Sequence, residues 1–235
     1  MKLKSIYEHM ENATKKIPEN ANCKIIFRHS IRGKIDSGVG RKVKLTDEGV
    51  ELARFFGRNL ETEIGFVASS SCDRNIQTCE EILLGAKCKR EIIIAPNELE
   101  GPQTKDKGLS DKVFEQYNFA NNEIIYQMKK DCLPGFNSVE DATKIMVNFM
   151  FANGNKENSV DLFCTHDFQM AILYAGLFNF AETKDSIINN KWPMMLEGMV
   201  FWGNRNHFWC AWRGEVKEYN NYMKDLSDKK LNFLK

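Results

Sequence analysis

The stretch Cys23-Lys24-Ile25-Ile26-Phe27-Arg28-His29-Ser30-Ile31-Arg32 joins a short apolar run to a cluster of cationic and imidazole side chains. A run of this length reads as a buried strand of the kind found inside parallel sheets. In open α/β sheets, ligands bind beyond the carboxyl ends of the strands. Arg28, His29 and Arg32 therefore stand where a ligand would be met.

The pattern of strand, polar loop and helix recurs along the chain. Thr46 is placed to cap a helix with Asp47 and Glu48 in its first turn and Leu52, Phe55, Phe56 and Leu60 at helical spacing. Gly65 to Ser69 reads as a second strand. It delivers Ser69, Ser70, Ser71 and Arg74, and Ser71 or Asp73 is expected to cap a helix carrying Ile76, Cys79 and Leu83 on one face. Glu91 to Ala95 reads as a third strand. Val139, Ala142, Ile145, Met146, Phe149 and Met150 mark a helix, and Val160 to Cys164 is a strand running into Thr165-His166-Asp167. Met170, Ala171, Tyr174, Leu177 and Phe178 give the helix after it. Gly198 to Trp202 and His207 to Trp212, joined by Gly203-Asn204-Arg205-Asn206, form a hairpin signal.

At the amino end, residues 2 to 16 read as a surface helix stopped at Ile17-Pro18-Glu19-Asn20. Residues 96 to 137 carry Pro96, Pro102 and Pro134 and no single period, which marks a small cap-like insertion over the site. Alternating strands and helices predict an α/β fold: a three-layer sandwich with a mainly parallel central sheet and helices on both faces. The length of 235 residues suits a single domain spanning 1–235.

Composition limits the partners. Lys and Arg total 33 against 32 Asp and Glu, so no global field draws in nucleic acid or anionic lipid, and any anion site must be local. Neither a nucleic-acid nor a membrane partner is expected, and nowhere do 18 apolar residues run together. Seven scattered cysteines without Cys-x-x-Cys spacing, together with an amino end lacking a signal-peptide pattern, favour a reducing, cytoplasmic setting. Four histidines give a zinc site little to be built from, and no metal is expected.

Three arginines, two histidines and one carboxylate thus follow the strands. Arginine suits phosphate because its planar fork gives paired, charge-assisted hydrogen bonds. Arg74 also opens a helix, whose free N–H groups add to the same field. A histidine among arginines resists protonation, and neutral imidazole is the nucleophilic form. Alone, Arg-His at a strand end is more often a turn, and Thr-His-Asp is as readily a capped helix start. Their convergence on one edge is what points to chemistry. Gly38-Val39-Gly40-Arg41-Lys42 lacks both the ending of a P-loop and a preceding strand, and reads as a loop near the pocket mouth. Trp202, Phe208, Trp209 and Trp212 read as packing residues, since few basic residues flank them.

Four segments, Phe27-Arg28-His29-Ser30-Ile31-Arg32, Leu45-Thr46-Asp47-Glu48-Gly49, Ser69-Ser70-Ser71-Cys72-Asp73-Arg74-Asn75-Ile76-Gln77-Thr78 and Cys164-Thr165-His166-Asp167, resemble in order and spacing the histidine phosphatase superfamily, of phosphoglycerate mutase-like fold. Arg-His-x-x-Arg combined with His-Asp resembles its acid phosphatase and phytase branch. The resemblance implies that His29 attacks phosphorus while Arg28, Arg32, Arg74 and His166 hold the phosphoryl oxygens. Asp167 would protonate the leaving alkoxide and then activate water, with no metal or organic cofactor needed. Ser30 stands where the family usually has glycine, and the middle segment is short, which implies an open pocket and a small phosphomonoester substrate. Two alternatives stay open. One is a phosphomutase or transphosphorylase using Glu98 or Glu100 as acid, as the mutase-like branch does, and the other is a non-catalytic phospholigand-binding module.

Overall fold

Strand β1 (Cys23–Arg28) runs through the middle of the sheet, and Cys23 to Phe27 are all buried. The computed structural model describes residues 7–35, 40–130, 133–178 and 192–223. Before β1 lies helix α1 (Glu8–Thr14), the described part of the expected amino-terminal helix. After it come α2 (Asp47–Arg58), β2 (Glu63–Ser69), α3 (Asp73–Gly85) and the two-residue β3 (Ile93–Ile94). Three helices follow, α4 (Pro96–Leu99), α5 (Lys107–Gln116) and α6 (Asn121–Lys129), and then α7 (Val139–Ala152), β4 (Ser159–Thr165) and α8 (Asp167–Leu177). The described chain ends in β5 (Gly198–Asn204), β6 (His207–Trp212) and β7 (Glu215–Asn220).

The strands of the described residues form one sheet in the order β3-β2-β4-β1-β5-β6-β7. Strands β3, β2, β4 and β1 are parallel neighbours, and β5, β6 and β7 extend the sheet as an antiparallel meander. Alternation along β1 splits the core in two. Ile25 and Phe27, with Val67 and Leu162, pack toward α1, α2 and α3, whereas Ile26, with Ala68, Phe163 and Phe201, packs toward α6, α7 and α8. This is the three-layer α/β sandwich expected. Lys24 is the exception in the apolar run. It is 1% exposed and bonds Asp161 Oδ2 at 2.7 Å and the Asn153 carbonyl at 2.9 Å, which satisfies a charge that burial would otherwise make very costly.

Register sets the site. Arg28 lies opposite Thr165 and Ser69 opposite Cys164, so β1, β2 and β4 end at one level. The next residues continue the ladder: the His29 amide donates to Thr165 O at 3.0 Å and the Ser70 amide to Cys164 O at 3.1 Å. His29, Ser70 and His166 therefore leave the sheet side by side.

Several local expectations are corrected. Helix α3 begins from Cys72 with no side-chain cap, so neither Ser71 nor Asp73 performs that role; the Ser71 hydroxyl instead donates to Glu100 Oε2 at 2.7 Å. The third strand shrinks to Ile93 and Ile94 at the sheet edge. Residues 96 to 137, which show no single period, hold three helices, and Leu99, Val113, Ile124, Ile125 and Met128 bury into the core shared with α7 and α8. Strand β7 was not expected. Thr46 does cap α2, accepting from the Gly49 amide at 3.1 Å. Gly38 and Val39 lie outside the described residues. No described helix is long and apolar enough to cross a membrane.

Candidate active site

His29 follows β1 directly, is 2% exposed, and has its Nδ1 2.7 Å from the carbonyl of Ser30. A carbonyl only accepts, so Nδ1 carries the proton. Its other nitrogen, Nε2, accepts from Arg74 Nε at 3.1 Å. The ring is therefore neutral, with its lone pair on Nε2. Ser30, which replaces the glycine of the resembled motif, ties this loop down. Its amide donates to Thr78 Oγ1 at 3.1 Å and its hydroxyl to the Gly49 carbonyl at 2.7 Å. Gly49 is itself required here, because a Cβ on it would be driven into the carbonyl of Ile31. The loop after β1 thus rests on the backbone of α2 with no room for a side chain between them.

Arg74, in the first turn of α3, spans the site. Besides His29 it donates through Nη2 to His166 Nδ1 at 3.0 Å and through Nη1 to the Gly40 carbonyl at 2.7 Å. Since Nδ1 of His166 accepts, its Nε2 carries the proton and donates to Ser70 Oγ at 3.0 Å. The two imidazoles face each other edge to plane, with ring centres 5.6 Å apart. Arg28 reaches Asp167 Oδ2 with Nη2 at 3.0 Å and Pro193 O with Nη1 at 2.7 Å, while its buried Nε has no partner among the described residues. Asp167 Oδ1 accepts from the Phe168 amide at 2.9 Å. Arg32 donates to the Gly33 carbonyl at 2.8 Å.

Burial, reinforced by Arg74 and Arg28, pushes His29 down from the usual imidazole value to about 3. His166 is pushed well down by burial first, and then by Arg74, His29 and Arg28. Both rings are neutral near pH 7. A neutral imidazole beside arginines is a nucleophile set next to an anion site, and that is what the arrangement offers chemically.

All six residues expected from the sequence, Arg28, His29, Arg32, Arg74, His166 and Asp167, line one cleft of about 560 Å³. Glu100 lines it too, whereas Glu98 does not. Glu100 accepts from Arg41 Nη1 at 2.9 Å and from the Ser71 hydroxyl, and its backbone carbonyl accepts from Gln169 Nε2 at 2.6 Å. Arg41 sits at the pocket mouth, as expected of its loop, and also bonds Ser71. Sequence reasoning missed Gln103, Gln169 and the aromatic side chains Phe114, Phe119 and Phe168, which line the same cleft. They come from elements without a periodic signal or from the first turn of α8, just after the residues that were singled out. Cys72, Glu100 and His166 bring ligating atoms within 4.8 Å of one another. Arg41 and Ser71 already occupy that carboxylate, and both His166 nitrogens are hydrogen-bonded, so the cluster is bound into the protein's own network.

No family model matches the sequence, and no curated protein matches it. Solved structures do match in shape. A mycobacterial hydrolase superposes with a TM-score of 0.51 at 11% identity, covering 86% of this chain and 89% of that one. A phosphoserine phosphatase from Entamoeba histolytica, in complex with 3-phosphoglyceric acid, gives 0.50 at 18% identity, over 77% and 90%. The fold is phosphoglycerate mutase-like. A functionally characterised open reading frame of Mycobacterium tuberculosis gives 0.50 at 14% identity, over 82% and 97%. At these identities the likeness is one of fold.

Proposed function

We propose that the protein is a phosphatase that hydrolyses small phosphate monoesters through a phosphohistidine on His29, with the acid phosphatase and phytase arrangement of acid and base. The observation that carries this reading is the tautomer of His29. Its Nδ1 proton is fixed on Ser30 O, and the Nε2 lone pair is aimed at the guanidinium of Arg74. A nucleophile is thereby pointed at the group best suited to hold a phosphate.

In the first step Nε2 forms a bond to phosphorus as the phosphorus–oxygen ester bond breaks, and Asp167 gives its proton to the departing alcohol. Arg28, Arg32 and Arg74 hold the phosphoryl oxygens, joined by His166 Nε2–H or Ser70. In the second step Asp167 takes a proton from water, which attacks phosphorus and releases His29. Without substrate, Arg28 is held by Asp167 and Arg74 by the two histidines. A phosphate dianion competes for both guanidinium groups, and its arrival frees Asp167 and the His29 lone pair together.

Glu100 supports a second reading, in which the acid comes from the segment after β3 as in the mutase-like branch. It faces the cleft, held by Arg41 and Ser71. Rapid quench of enzyme with a ³²P-labelled monoester tests the shared covalent step. An acid-labile, base-stable label is expected on wild-type protein and none on His29→Ala. Phosphate release without any such label would overturn the covalent mechanism.

A further inference from the structure

Beyond the anion-binding residues, the cleft is apolar in a directed way. Phe168 follows Asp167 in the chain, and Phe114 packs edge-on against it with ring centres 5.7 Å apart. Phe114 in turn lies nearly parallel to Phe119 at 6.0 Å and touches Phe136 at 5.3 Å. A row of rings therefore leads from the carboxylate to solvent, and Phe114, Phe119 and Phe168 all line the cleft that holds His29.

Phe119 is 65% exposed, more than any other large hydrophobic side chain among the described residues. Its backbone is left-handed, with φ of 56°, and so is that of Asn118 before it, with φ of 47°. This is how α5 ends: the Phe119 amide donates to the Phe114 carbonyl at 2.9 Å, and that closure fixes the exposed ring beside Phe114 at the cleft. Ile35, another exposed apolar side chain, lines the same cleft. The amide nitrogens nearby are engaged within the protein: Gln169 Nε2 bonds Glu100 O and Gln103 Oε1, and Gln103 Nε2 bonds Glu100 O, which leaves the buried Gln169 Oε1, without a partner among the described residues, and Asn121 as the remaining polar groups of this side.

We infer that the leaving-group side of the cleft receives an aromatic ring, so that the preferred substrates are small phosphate monoesters whose alcohol carries an aryl group, rather than phosphorylated sugars or polyols. The inference rests on the phosphatase reading. A sugar would need several hydrogen-bonding partners here, whereas a ring gains by stacking on Phe119 and leaving water. The volume of about 560 Å³ is that of a small-molecule site.

Calorimetry with phenylphosphonate and methylphosphonate, which are not hydrolysed, reads the ring alone. The phenyl compound is expected to bind at least ~10-fold tighter. Phe119→Ser should shrink that ratio to about threefold or less, while Leu84→Ser, an exposed apolar change on α3 outside the cleft, should leave it intact. Turnover of 2-phenylethyl phosphate over ethyl phosphate, whose alcohols leave with similar difficulty, should follow the same order in kcat/KM. Free phosphotyrosine is expected to match a phosphotyrosine hexapeptide within a few-fold, and a hundredfold preference for the peptide would overturn the small-molecule assignment. Equal binding of the two phosphonates, with phosphate release intact, would overturn the subsite alone. Ring discrimination with no phosphate release from any ester would leave the subsite standing and overturn the hydrolytic reading.

Discussion

His29 combines a fixed proton on Nδ1, a lone pair on Nε2 that only the guanidinium of Arg74 holds, and a burial that keeps it uncharged, whereas His166, also neutral, holds the opposite tautomer. His29→Ala should therefore lower turnover by ~10⁴-fold or more, roughly 5.5 kcal/mol of barrier, with an unchanged circular dichroism spectrum. Residual activity within tenfold of wild type would remove it from the mechanism. The choice between Asp167 and Glu100 is readable from leaving groups. Losing the general acid should cost ~10²–10⁴-fold on an alkyl phosphate and far less on p-nitrophenyl phosphate, whose phenolate departs unaided. Asp167→Asn is expected to show that signature and Glu100→Gln is not; the reverse outcome assigns the acid to Glu100. His29 and Asp167 were legible because each follows the end of an apolar run, where topology alone delivers it to the sheet edge. Gln103 and the Phe114–Phe119 pair were not, because what brings them to the cleft is the packing of short helices and turns that no sequence period announces, and Gln169 was passed over inside a helix read only for its apolar positions.

At the level of elements, α2 and α3 hold the two loops that must meet for phosphate to be gripped. They touch through backbone: a Cβ on Gly57 would be driven into the Ile82 carbonyl, and one on Gly85 into that of Arg54. Gly85→Ala, near the end of α3, should force the helices apart and cost ~1–3 kcal/mol, seen as a lower melting temperature, with weaker vanadate inhibition as Arg74 moves from His29. A variant as stable as wild type would mean that the two helices adjust independently of the site. Strands β1 and β4 were readable because both their faces are buried, which leaves apolar runs broken only by the paired Lys24 and Asp161, and β2 because its carboxyl half is buried in the same way. Strand β7 was not, since Glu215, Lys217 and Glu218 give it the charged look of an edge strand that repels further pairing. Helix α5 escaped notice for a related reason: only Ser110 and Val113 of it are buried, so no apolar stripe forms.

For the whole molecule, a net charge of +1 conceals a cleft into which Arg28, Arg32, Arg41 and Arg74 converge. An oxyanion that fills it binds only the folded chain. Tungstate at ~100 times its dissociation constant should add about 2.7 kcal/mol of stability, a rise of several degrees in melting temperature, and Arg74→Ala should abolish most of it. The same electrostatics dictate how stability follows pH. In the folded protein His29 releases its proton at about 3, whereas in the unfolded chain it does so near 6.5. Between those values the unfolded state binds the extra proton, so stability falls as pH falls. The contribution of neutral His29 is complete above about pH 6.5 and is lost progressively on acidification toward pH 3; His166, shifted in the same direction, adds to it. At most one proton per histidine is involved, which bounds the slope from His29 at about 1.4 kcal/mol per pH unit. Other groups titrate in this range too, and a comparison with His29→Asn, which cannot take up the proton, cancels them. Chemical denaturation from pH 7.5 to 4.5 should give a shallower loss of stability for that variant than for wild type, and saturating tungstate should flatten the wild-type curve by making a protonated His29 tolerable. Parallel curves for the two proteins would mean that His29 is not held neutral by the fold, and the argument that its lone pair is ready at neutral pH would go with it.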